Sequence, residues 1–284
     1  MAASIPVSRW RAPGVMVVSG LSLYAGAAVA VGLFAQFPPV VVAWFRIAAA
    51  GFILAVLARP RVRDFLGWPG FHAAVYGVVT MGMNMVFYQA IHSVPLGTAV
   101  AIEFLGPVAV AAWGSRNCRD WLALGLAVAG VLIISGATWT TAGAGLLWAL
   151  AAGALWALYI LAGSRVAAAA ADGRGTRTTM AVGFCWAGLA GVPLVAVLWP
   201  SSLSLGGGAV VGLALALGLL SAAIPYSLDQ VVLRMAGSAY FALLQAILPL
   251  VAAVVGAVAL RQWLTLPEIA GIGLVVAAVT LRRS

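Results

Sequence analysis

Apolar residues fill the chain in blocks of about 20, the length a helix needs to cross a hydrocarbon layer about 30 Å thick. The blocks fall at roughly 14 to 34, 39 to 58, 68 to 90, 95 to 114, 120 to 138, 144 to 166, 178 to 199, 208 to 232, 237 to 259 and 265 to 281. Ten blocks predict ten transmembrane helices and an all-α membrane protein. Short polar connections separate them, and none is long enough to fold as a soluble domain. The first block follows Arg9 and Arg11, exceeds the apolar region of a cleaved signal peptide, and reads as the first span.

Composition agrees with this pattern: 64% of the residues are hydrophobic and 7% charged, with 33 glycines. The formal charge of +9 would suggest nucleic acid in a soluble chain, but its distribution points elsewhere. Arginines precede span 1 (Arg9, Arg11) and follow span 2 (Arg59, Arg61, Arg63), span 4 (Arg116, Arg119), span 6 (Arg165, Arg174, Arg177), span 8 (Arg234) and span 10 (Arg282, Arg283). Alternate connections are thus basic, which predicts cytoplasmic termini and calls for no nucleic-acid partner. Lysine is absent, which excludes a Schiff-base chemistry. Cys118 and Cys185 lack metal-ligand spacing and read as structural thiols. His72 and His92 lie at opposite ends of span 3, about 30 Å apart by helical rise, so no shared metal is expected.

An internal repeat emerges at an offset of 142 residues, which superposes Pro107 on Pro249, Ala111 on Ala253, Gly114 on Gly256, Trp121 on Trp263, Leu122 on Leu264 and Leu124 on Leu266. Five spans per half is an odd number, so the second copy enters the membrane with opposite orientation. Residues 1–141 and 142–284 are therefore expected to form two inverted five-helix repeats, an arrangement found in secondary transporters with a site near the midplane. Pro107, Pro193, Pro225 and Pro249 lie inside apolar blocks, where each frees a carbonyl that needs another donor.

Glu103 stands out. Counted from Pro95, it lies about 12 Å into span 4, close to mid-membrane, with no charged residue near it in sequence. It is either a functional acid or a packing residue that is neutral or paired. The same offset places Gln245 opposite it. Asp229 is either a second site acid or an anchor for Arg165 or Arg234. Arg46, inside span 2, must face water, protein acceptors or an anion. Asn84 and Tyr88 fall at helical spacing in span 3, and Trp156, Tyr159, Tyr226 and Ser227 add donors or aromatic walls. Together this set holds both hydrogen-bond acceptors and donors.

Several segments resemble the drug/metabolite transporter superfamily of EamA-like ten-helix transporters, closest to its threonine/homoserine exporter branch. They are Arg46 within Trp44-Phe45-Arg46, Met83-Asn84 with Phe87-Tyr88, the run from Val94 to Pro107, Trp156 to Gly163 followed by Arg165, and Pro225-Tyr-Ser-Leu-Asp229. The resemblance covers essentially the whole chain. It implies a bacterial inner-membrane exporter of small amino acids driven by the proton gradient, with no cofactor and with a homodimer left open. The second half departs from the family twice. Leu248 replaces an acid before the proline of span 9, and Arg261-Gln262 replaces a Gly-Glu pair after it.

Competing classes find less support. The Gly-x-Ser-x-Gly, His-Glu-x-x-His and Gly-x-Gly-Asp signatures of intramembrane enzymes are missing, as is a nucleotide-binding loop. A purely structural membrane subunit would have no need of an acid at mid-membrane.

Overall fold

The computed structural model describes residues 8–113, 118–170, 175–225, 228, 232, 244, 245 and 247–281. All regular structure among the described residues is helical. The helices are α1 (Ser8–Leu33), α2 (Pro39–Ala58), α3 (Gly67–Ser93), α4 (Leu96–Glu103), α5 (Leu105–Trp113), α6 (Cys118–Ala170), α7 (Thr176–Leu198), α8 (Gly207–Gly218), α9 (Ile247–Leu260) and α10 (Leu266–Leu281).

Local chemistry sets these ends. Pro39 opens α2 where a missing N–H costs nothing, and Arg59 closes it in the left-handed region (φ 48°), its N–H donating to the Ala55 carbonyl. Ahead of α3, the Asp64 carboxylate accepts from the Arg61 N–H at 2.8 Å. Val94 is extended (φ −126°, ψ 155°), as a residue before proline must be, and that ends α3.

Spans 2, 3, 7 and 10 match single helices. Span 4 does not: it is two helices, α4 and α5, broken at Phe104. The expected break between spans 5 and 6 is absent, because α6 runs unbroken for 53 residues. The apolar stretches Trp121–Ile134 and Gly143–Leu161 inside it hold the places of the two spans, so their connection is helical rather than a loop. No proline stands between Pro107 and Pro193 to interrupt it. Span 8 runs as α8 into one π-helical turn, Leu219–Ala223.

Burial completes the picture of a membrane protein. Among the described residues, five helices are long and apolar enough to cross a membrane, and five shorter ones are apolar throughout. Large apolar side chains face outward, among them Phe52, Leu57, Leu132, Val197 and Val258, where water would penalise them and lipid does not. Polar side chains go inward instead: Arg46, Thr80, Asn84, Thr98, Glu103, Ser221 and Glu268 are all buried.

Candidate functional site

The site forms where helices are broken. Pro107 has no N–H, so the helical partner of the Glu103 carbonyl four residues earlier is missing, and the chain turns at Phe104 between α4 and α5. Gly153 of α6 gives this turn room: a Cβ there would lie 2.9 Å from the Glu103 carbonyl oxygen. Phe104 packs edge-on against Trp156 with ring centres 4.9 Å apart, which puts Trp156 in the wall beside the acid. The Glu103 side chain is buried. Arg46 is the cation close enough to act on it electrostatically.

The second break mirrors the first. Pro249 removes the helical donor for the Gln245 carbonyl, Gln245 lies in a turn, and α9 begins at Ile247. Helices α4 and α9 run antiparallel. A Cβ on Gly97 would lie 2.8 Å from the Ala253 Cα, and one on Gly256 would lie 3.5 Å from the Leu96 side chain. Six residues beyond Gly97, Glu103 therefore reaches the depth of Ile247, two residues from Gln245. The buried Gln245 Oε1 has no partner among the described residues.

Arg46 is held by a third helix irregularity. At Pro225 the π-helical end of span 8 lacks the N–H that would serve Leu220 in a π pattern or Ser221 in an α pattern. Side chains supply both: the Ser22 hydroxyl donates to the Leu220 carbonyl at 2.7 Å, and an Arg46 Nη to the Ser221 carbonyl at 2.9 Å. Ser19 donates to the Pro225 carbonyl at 3.3 Å. The rest of the guanidinium faces the site, 5.9 Å over the ring of Tyr88, and its Nε has no partner. Tyr88 is wholly buried, and its hydroxyl lies beside the Arg46 and Ser221 side chains without a well-formed hydrogen bond to either.

Other expected residues separate from this group. The buried Asn84 amide donates to the Thr80 carbonyl at 2.7 Å, one turn earlier in α3. The Tyr159 hydroxyl accepts from Tyr76 at 2.8 Å, and Tyr76 stacks on Phe184. Tyr76 lies twelve residues, about 18 Å, along α3 from Tyr88, so Tyr159, one helical turn beyond Trp156 on α6, is tied toward the other end of α3. Tyr226, Ser227 and Asp229 lie outside the described residues. Among the described residues no cluster of His, Cys, Asp and Glu could hold a metal.

Sequence reasoning passed over Ser19, Ser22 and Ser221, and over Thr98 and Glu268 at the far end of α4, and it marked Gln262 only as a departure from the family. The serines carried a usable signal, because a carbonyl freed by Pro225 needs a neighbouring donor. Glu268 carried another: Thr265-Leu-Pro-Glu268 has the spacing of a helix-capping box.

Helices interrupted at prolines, with buried polar side chains at the interruptions, fit the class of membrane transporters. Comparison with known proteins agrees. The EamA-like transporter family matches residues 143–282. The threonine/homoserine exporter RhtA of Escherichia coli strain K12 is 34% identical over 281 residues, covering 95% of this chain and 90% of that protein. RhtA of Salmonella typhimurium strain LT2 is 34% identical over 287 residues, covering 96% and 93%. A solved structure described only as a crystal structure of a protein shares the fold, with a TM-score of 0.62 and 19% identity over 95% of this chain and 96% of that one. The chain belongs to the EamA-like transporter family, a ten-helix membrane fold.

Proposed function

We propose that this transporter exports small amino acids of the threonine/homoserine type across a bacterial inner membrane in exchange for protons. The observation that carries the reading is the set of buried, unpartnered atoms at the breaks: Arg46 Nε, Tyr88 Oη and Gln245 Oε1, beside the Glu103 carboxylate. An unpaired buried polar atom costs about 1 to 3 kcal/mol, which a ligand can offset. Arg46 and Tyr88 offer N–H and O–H donors to a carboxylate, while Glu103 and Gln245 offer acceptors to an ammonium. A zwitterion satisfies all four. Competition between the ammonium and a proton for Glu103 is the coupling step.

The relatives' cargo supports the threonine-type substrate, and the paired breaks at Glu103 and Gln245 support inverted repeats over residues 1–141 and 142–284 with a site between them. Purified protein in liposomes loaded with threonine is expected to accumulate labelled threonine by counterflow. Labelled homoserine is expected to behave alike, and a cationic dye is not. Dye movement without amino acid counterflow would replace this reading with drug export on the same fold.

Orientation follows from the arginines. With Cys118 and Cys185 replaced by serine, a cysteine at Gln36 is expected to react with an impermeant thiol reagent from outside intact cells. One at Gly173 is expected to react only after permeabilisation. Outside labelling at Gly173 would contradict cytoplasmic termini and an inverted second half.

A further inference from the structure

The half-helix that carries Glu103 is fastened at its other end by two side chains from beyond α9. Pro95, the cap of α4, has no side-chain donor or acceptor to offer, so the first N–H groups of this eight-residue helix need partners elsewhere. Gln262 provides one: its Oε1 accepts from the Leu96 N–H at 2.9 Å. Its position is fixed by the turn that closes α9, in which Arg261 takes the left-handed conformation (φ 55°) and the Gln262 N–H donates to the Gly256 carbonyl at 3.0 Å. Glu268 provides the second tie. One carboxylate oxygen accepts from both the Thr265 N–H and hydroxyl at 2.8 Å, capping α10, and the other accepts from the wholly buried Thr98 hydroxyl at 3.0 Å. All of these groups lie 5 to 8 residues from Glu103 along α4, about 8 to 12 Å away, too far for any to touch its carboxylate.

We infer that Thr98, Gln262 and Glu268 form a clamp that positions α4, and through it sets where Glu103 stands in the site. The inference rests on the reading of Glu103 as a substrate-binding acid. Since α4 is two turns long and ends in a proline-weakened turn at Phe104, its direction depends on what grips it. Gly97 seats it against the α9 backbone, and the two hydrogen-bonded side chains fix its rotation and height. Glu268 is then a positioning residue with a divided carboxylate, one oxygen for α10 and one for α4. The Arg261-Gln262 pair, which departs from the family pattern, supplies the turn and the cap.

Thr98→Val tests the clamp, because it removes the hydroxyl at nearly constant volume and leaves the Thr265 cap of Glu268 in place. In proteoliposomes the threonine concentration at half-maximal transport is expected to rise about fivefold or more, the scale of one lost hydrogen bond. Thr98→Ser, which restores the hydroxyl, is expected to return it to the wild-type value. Half-saturation does not depend on how much protein folds, so a role confined to stability would lower the maximal rate alone. That result, or wild-type half-saturation in Thr98→Val, would overturn the clamp. Glu103→Gln measured alongside keeps the two readings apart. If Glu103→Gln fails to transport while Thr98→Val is unaffected, the clamp alone is wrong. If Glu103→Gln is itself unaffected, the reading of Glu103 falls and takes the clamp's role with it.

Discussion

Replacing Glu103 with glutamine is expected to cut the initial rate of threonine transport at least about tenfold without disturbing the fold. The amide fills nearly the same volume, and the second half already carries an amide, Gln245, four residues before its own proline. What the substitution removes is charge. A charge-assisted hydrogen bond to an ammonium contributes roughly 1.5 to 3 kcal/mol, or about ten- to a hundredfold in rate or affinity. Glu103→Asp keeps the charge but shortens the reach by one methylene, so partial activity with a shifted pH optimum is expected. Initial rates against pH, at equal amounts of monodisperse protein, measure both. A Glu103→Gln protein with the wild-type rate and pH profile would return this acid to a packing role.

The second large effect is expected at Arg46. Its guanidinium does two jobs at once: one nitrogen holds the Ser221 carbonyl beside Pro225, while the remainder lies over Tyr88 and acts on Glu103. Arg46→Ala leaves that carbonyl short of its donor in an apolar interior, a cost of about 1 to 3 kcal/mol, and strips the site of its cation. Transport is expected to fall about a hundredfold, with a lower thermal midpoint in detergent. Arg46→Lys is not a conservative exchange here, because an ammonium lacks the planar fork that spans two partners. Its stability is expected to recover more than its transport. Equal recovery of both would reduce Arg46 to a brace for span 8.

How much of this could be read along the chain varies with the kind of interaction. The bounds of spans 2, 3 and 7 were legible to within a few residues, because proline, glycine or arginine punctuates each apolar block. The buried acid Glu103 and the prolines Pro107 and Pro249 were legible too. From them a break in span 4 follows by simple loss of an N–H, and the structure shows it at Phe104.

The continuous α6 was not legible, since hydropathy measures apolar length and says little about whether a polar interval such as Thr138 to Thr141 stays helical. Pairings between distant segments were also hidden. Nothing near Arg46 in sequence names Ser221, 175 residues on, as its acceptor, and nothing near Leu96 names Gln262. The hydrogen bond from Tyr76 to Tyr159, 83 residues on, was hidden in the same way.

Proton movement on substrate binding tests the role of Glu103 most directly. Threonine added to weakly buffered, detergent-purified protein, followed with a pH-sensitive dye, is expected to release protons from the wild type as the ammonium displaces them from Glu103. Glu103→Gln is expected to release none while remaining folded. Equal proton release from both proteins, or none from the wild type under conditions where it binds threonine, would contradict the coupling of cargo and proton at this residue.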